Sequence, residues 1–139
     1  VTVVIDASVV VKWLLQDPEN EADTEKATQL LHAVTVGNHV AAQPVHWLAE
    51  VGAVLSRMSP ETAADDIKML CGLELLTVDD PFILIRGVQL ATELKQHLFD
   101  TYYHAVALET PDAMLITADE RYFRAARDAG RITLLADWS

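Results

Sequence analysis

The sequence predicts an α/β domain with a mainly parallel sheet covered on both faces, and three observations carry that prediction. Short β-branched runs alternate with longer stretches of helical periodicity, the order that parallel strands joined by crossover helices require. Gly37, Pro44 and Gly130 punctuate the chain between these runs. No repeat, low-complexity tract or Gly/Ser linker divides the 139 residues, a length that fits one domain, 1–139, with a core of its own.

TVVID is the first strand, followed by a helix over Val9–Leu15. A second helix, Glu21–Val36, stops at Gly37-Asn38, a strong C-terminal signal. His39–Gln43 is a short strand ahead of Pro44, and helices cover 45–58 and 60–72, the latter with Pro60 in its first turn. Leu75–Val78 is a strand, and Phe82–His97 and Thr101–Leu108 are helices. Ala113–Thr117 is the next strand, Glu120–Ala129 a helix, and Ile132–Leu135 a last strand after Gly130.

Hydrophobic residues make up 51% of the chain and charged residues 22%, proportions ordinary for a folded soluble protein. The single cysteine, Cys71, excludes an internal disulfide, which fits a reducing cytoplasm, and is expected as a small buried apolar residue. The opening run VTVVIDASVVVKWLL is interrupted by Asp6 and Lys12 and lacks a cleavage pattern, so it is expected to be neither a signal peptide nor a membrane span. It opens on Val1 rather than Met, as a processed or trimmed chain does.

The formal charge of −11, from 21 acids against 10 bases, is opposite to the basic face of most nucleic-acid binders. The acids are unevenly placed. Asp17, Glu19, Glu21, Asp23 and Glu25 crowd one stretch that reads as a solvated loop and helix start. Arg121 to Arg131 holds four arginines with Asp128 as its only acid.

In open α/β sheets ligands bind beyond the carboxyl ends of the strands. Asp6 ends the first strand and Asp119 follows the strand AMLIT, so both lie where that rule puts a site. Helix capping accounts for either equally well: Asp6 or Ser8 for the first helix, and a Thr117–Glu120 capping box for the later one. Glu50 stands at the border of the apolar stripe formed by Trp47, Leu48, Val51, Val54, Leu55 and Met58, as a rim residue or as a ligand aimed over the sheet edge. Asp100 opens the helix LFDTYYHAVAL, where N-capping competes with a ligand role and Phe99 offers a staple contact. Asp112 precedes a strand and belongs to the opposite sheet end.

Four converging carboxylates would raise one another's pKa values, and a hard cation relieves that conflict. All-oxygen ligation favours Mg²⁺ or Mn²⁺. The five histidines, His32, His39, His46, His97 and His104, lack a zinc spacing, and His97 and His104 read as helix-surface residues. There is no Gly-rich phosphate loop and no nucleophile elbow. Arg121, Arg124 and Arg127 recur every three residues, on a face suited to RNA phosphates or simply to solvent. Tyr102 and Tyr103 suit base stacking or packing.

Four segments in this order, VVIDASVVVKWL, LAEVGAVL, FDTYYHAVAL and LITADERYFRAAR, give the chain its resemblance to the PIN-domain family, and within it to the VapC-like toxins of toxin–antitoxin pairs. Phe99-Asp100-Thr101 stands in place of the family's more usual aromatic-Asp-small triplet. The resemblance maps the acidic site onto Asp6, Glu50, Asp100 and Asp119, with Ser8 and Thr117 as accessory polar positions. It implies a three-layer α/β/α sandwich, Mg²⁺- or Mn²⁺-dependent cleavage of single-stranded or looped RNA, a homodimer, and a cognate antitoxin that blocks the site. Asp6, Glu50 and Asp100 are assigned to metal ligation, and Asp119 to ligation directly or through water. The helix around Phe82–Leu98, with Phe82, Ile85, Leu90, Leu94 and Leu98, is the candidate association surface. Two other readings are a catalytically silent PIN-like binding module and a phosphatase or receiver-type protein, the latter needing two close acids where Asp6-Ala-Ser8 offers one.

Overall fold

In the computed structural model, which describes residues 1–15 and 22–139, five parallel strands form one sheet in the order β3-β2-β1-β4-β5. They are β1 (Thr2–Ile5), β2 (Val40–Pro44), β3 (Leu76–Val78), β4 (Ala113–Thr117) and β5 (Ile132–Leu134). The helices are α1 (Ala7–Leu14), α2 (Thr24–Thr35), α3 (Trp47–Met58), α4 (Ala63–Cys71), α5 (Pro81–Leu94), α6 (Leu98–Glu109) and α7 (Glu120–Ala126). Short 3-10 turns cover Arg127–Ala129 and Leu135–Asp137. The expected helix start at Glu21, together with Asp17 and Glu19, lies outside the described residues.

The chain first moves outward from β1 to β2 to β3, then crosses back to β4 and β5 on the other side of β1. Right-handed crossovers put the two sets of connections on opposite faces. Accordingly α1 packs on α2 and α3, and α3 on α4, in one layer. In the other, α6 packs on α5 and against β1, β2 and β4. This is the α/β/α sandwich. Between β1 and β4 the strand order reverses, which makes their carboxyl ends the natural ligand crevice.

The core follows from the strands. Val3, Val4 and Ile5 of β1 and Leu115 and Ile116 of β4 are fully enclosed, with Val51 and Leu55 of α3 and Tyr103 and Val106 of α6 closing over them. The backbone register between β1 and β2 runs only through Thr2↔Val40 and Val3↔Ala41. Beyond it the buried Gln43 amide takes over: its Oε1 accepts from Ile5 N and its Nε2 donates to Ile5 O, both at 2.8 Å. Peptide groups that would otherwise be buried unpaired are thus satisfied, and β1 reaches Asp6 in a fixed position.

Several helix ends differ from the sequence reading. α1 starts at Ala7, not Val9, because Asp6 caps it by accepting from Ser8 N. α6 starts at Leu98, not Thr101, because the His97 Nδ1 accepts from Phe99 N at 3.1 Å. An imidazole is an uncommon cap, so the usual cap residues did not reveal it. α5 ends at Leu94 with Lys95 in the left-handed region at φ 54°, and α7 closes into a 3-10 turn after Ala126. Pro60 precedes α4 instead of lying in its first turn. Cys71 is exposed rather than buried. No helix among the described residues is long and apolar enough to cross a membrane.

Candidate metal centre

Three carboxylates meet at the sheet's switch point. One oxygen from each of Asp6, Glu50 and Asp100 lies within 4.8 Å of the other two. Asp6 is the residue after β1, Glu50 sits in the first turn of α3, and Asp100 in the first turn of α6. Both helix N-termini face the cluster, and their partial positive charge tempers the mutual repulsion. Asp100 is inside α6 and His97 is the cap, so capping does not account for Asp100.

Asp6 is held by a compact polar network. Its Oδ2 accepts from Ser8 N at 3.2 Å, from Ser8 Oγ, and from Thr117 Oγ1 at 3.2 Å. Ser8 Oγ in turn accepts from Ala118 N at 3.0 Å, and Thr117 Oγ1 from Asp119 N at 3.1 Å. Ser8 and Thr117, the accessory polar positions of the sequence reading, make these bonds, which tie the end of β4 to the end of β1. The bonds fall on Oδ2 and leave Oδ1 for a ligand.

The charges are costly as they stand. Burial, opposed by the Ser8 hydrogen bond and reinforced by the Glu50 charge, pushes Asp6 up to about 6. Burial and the charges of Asp6, Glu50 and Asp119 push Asp100 to about 6 as well. His46 Nε2 lies 3.3 Å from Glu50 Oε2, yet it is also 3.1 Å from the Phe99 carbonyl. The Glu50 oxygen is buried without a hydrogen bond, and we read the His46 N–H as directed to Phe99. The fully buried Tyr103 hydroxyl also lacks a partner, and its pKa is raised by burial and then by Glu50, Asp6 and Asp100. The buried Asp6, the half-buried Glu50 and Asp100, and the orphaned Glu50 oxygen are a donor set that fits a hard divalent cation.

Asp119 stands apart from this trio. It caps α7, with Oδ1 accepting from Tyr122 N at 3.0 Å, where the sequence reading placed a Thr117–Glu120 capping box. It nevertheless shares a cavity of about 240 Å³ with Asp100, Lys95, His97 and Arg121. Tyr122 steadies this corner. Its hydroxyl is 2.9 Å from His104 Nδ1, while His104 Nε2 is 2.8 Å from the Gly130 carbonyl. Only an N–H can face that carbonyl, so Nε2 carries a proton. Burial lowers the His104 pKa, and in the neutral ring Nδ1 accepts from the Tyr122 hydroxyl. His104 is thus an interior strut, not the helix-surface residue expected.

Of the three candidate RNA-binding arginines, Arg121 lines the cavity beside Asp100 and Asp119. Arg124 is exposed, and Arg127 lies over the Phe123 ring at 5.8 Å. Tyr102 and Tyr103 are buried, which removes both as stacking platforms. Asp112 is exposed at the opposite sheet end, as expected. The sequence reading missed His46 and Lys95 as neighbours of the acids. The i,i+4 spacing of His46 and Glu50 was the available signal, whereas Lys95 depends on the turn between α5 and α6.

Comparison with known proteins shows the family and the fold. The family model for the PIN domain matches residues 3–128, and the chain belongs to the PIN-domain family. It is similar in fold to a chain in the crystal structure of VapBC2 from Rickettsia felis bound to a DNA fragment from their promoter, with a TM-score of 0.72, 16% identity and 100% of each chain covered. No curated protein sequence matches.

Proposed function

We propose that this protein is a Mg²⁺- or Mn²⁺-dependent endoribonuclease acting on single-stranded or looped RNA, and the toxin of a cytoplasmic toxin–antitoxin pair. The observation that carries the reading is the convergence of Asp6, Glu50 and Asp100 oxygens within 4.8 Å at the strand-order reversal. Membership of the PIN-domain family supports nuclease chemistry, and likeness in fold to a chain of the VapBC2 complex supports an antitoxin partner.

Asp6, Glu50 and Asp100 would hold the metal, with Asp119 reaching it through water. When bound, the metal would supply a water of lowered pKa and positive charge at the scissile phosphate and leaving oxygen. The chain's own part is positioning. Ser8 and Thr117 fix Asp6 through Oδ2, the α3 and α6 scaffolds fix Glu50 and Asp100, and no protein nucleophile is required. The test is incubation of a structured RNA pool with purified protein. Cleavage is expected with Mg²⁺ or Mn²⁺, and cleavage that persists in EDTA would reject the proposal.

Arg121, exposed beside the acids, serves as a phosphate contact. Arg121→Ala is expected to raise KM in a salt-dependent way while leaving turnover, and to make the plot of log affinity against log salt shallower by about 0.7. An unchanged salt slope would remove Arg121 from the interface.

A homodimer formed through the outer face of α5 completes the reading. Phe82, Ile85 and Val88 are exposed there, Phe82 at 81%, whereas Leu90 is buried and Leu94 and Leu98 are partly covered. The association surface is therefore narrower than the sequence suggested. Light scattering should give a dimer, and Phe82→Glu with Ile85→Glu a monomer. A wild-type monomer at tens of micromolar, about the usual working range, would exclude it.

A further inference from the structure

We propose that Phe99 and the groove it borders form a nucleobase subsite immediately beside the metal centre, taking one unpaired base of an RNA strand. The inference rests on the ribonuclease reading and adds to it the means by which an acidic protein holds its substrate.

The groove encloses about 360 Å³ and runs along α3. Its lining along α3 runs from Glu50 through the apolar floor of Ala53 and Val54 to Arg57, with Phe99 and Asp100 of α6 facing it. Phe99 is 49% exposed although it directly precedes the buried corner of Asp100. Its ring is not loose. It lies 5.1 Å from the His46 ring and 5.0 Å from that of His97, and His46 is stacked flat on Tyr102 at 5.0 Å with 5° between the planes. A braced aromatic face that remains open to solvent loses little entropy when another ring covers it.

Charge decides what covers it. At −11 the chain opposes polyphosphate binding, so contacts to bases must carry much of the affinity. Stacking on an aromatic ring contributes about 1–3 kcal/mol per base and takes any base. Arg57 is seven residues from Glu50, about 10 Å along the helix, with apolar floor between the two. This sequence of acid, apolar floor with aromatic wall, and cation matches a metal-held scissile phosphate, a neighbouring base and a further phosphate. The stacking role considered for Tyr102 and Tyr103 thus passes to the residue before the ligand.

The test uses the full chain and short single-stranded oligoribonucleotides that contain a cleaved bond. Phe99→Ala should raise KM about 5- to 100-fold with kcat little changed and the salt slope unaltered, and Phe99→Trp should restore it. Phe99→Leu, which keeps apolar bulk and protects the fold, should lose binding like alanine. An abasic residue at one position beside the cleaved bond should impose a similar loss on the wild type and almost none on Phe99→Ala, since the pair acts as one contact. Additive losses, or a KM unchanged in Phe99→Ala and Phe99→Leu, would overturn the subsite while leaving the ribonuclease reading intact. So would variants that cleave normally but fail to bind a protein inhibitor, which would assign the groove to a peptide. Absence of metal-dependent cleavage by the wild type would instead overturn the reading beneath it.

Discussion

Asp6→Asn, Glu50→Gln and Asp100→Asn are each expected to lower RNA cleavage by at least about 10³-fold, about 4 kcal/mol of barrier. The three side chains offer one oxygen each to a single cluster, so under the proposed function loss of any one would remove a ligand from the same ion, and the losses in double variants should not add. The fold should persist, because amides keep the shape of the acids and one accepting oxygen. That oxygen matters for Asp6, whose Oδ2 accepts from Ser8 and Thr117. Asp119→Asn is the graded case. It keeps the acceptor for Tyr122 N and lies outside the trio, so a partial loss is expected. EDTA should stop the wild type, Mg²⁺ or Mn²⁺ should restore it, and Ca²⁺ should restore it poorly because its longer, looser coordination misplaces the phosphate. The measurement is cleavage of a structured RNA pool read at single-nucleotide resolution. Equal cleavage by wild type and Asp6→Asn would assign the activity to another site or a contaminant.

The positions of Asp6 and Glu50 were legible because they depend on the alternation of strands and helices and on helical periodicity, not on exact helix boundaries. Asp6 had to follow TVVI wherever the first strand ended, and Glu50 had to border an apolar helical stripe. Less legible was whatever depends on turns and on rings meeting across elements. The cap at His97 brought Asp100 inside α6 and left Phe99 facing outward, and neither follows from propensity. Asp119 was grouped with the trio from its place after β4, but its commitment to Tyr122 N separates it. His104 reads as a helix-surface residue because its spacing offers no zinc site. α6 is packed between α5 and the sheet and is buried from Thr101 to Ala107, so that position is interior. Cys71 is exposed at the last residue of α4, a position its local sequence does not announce.

The metal-free protein should be stabilised by losing one of its own acids. Both Asp6 and Asp100 have folded pKa values near 6, above the ordinary 3.8. For a carboxyl raised on folding, the native state binds more protons than the unfolded chain between these values, so stability falls as pH rises through that window. The contribution is fully present below about 4 and lost above about 6. For the buried Asp6 the loss corresponds to a cost on the order of 3 kcal/mol at neutral pH. Asp100 is partly open to solvent, and screening makes its share smaller. Asp100→Asn cannot titrate, so the metal-free variant should match the wild type near pH 4. Its advantage should grow to a plateau above pH 6, as a higher Tm by a few degrees, since about 1 kcal/mol corresponds to roughly 4 °C in a domain of this size. Saturating Mn²⁺ should reverse the order at pH 7.5. Bound metal at 100 times its Kd adds about 2.7 kcal/mol to the wild type, whereas Asp100→Asn lacks a ligand and gains little. Thermal unfolding of both proteins from pH 4 to 8, with and without Mn²⁺, gives the comparison. A variant less stable than the wild type at pH 8 without metal would mean that Asp100 is a structural residue and that the acids do not repel one another. An identical Mn²⁺ shift in both proteins would remove Asp100 from the metal centre.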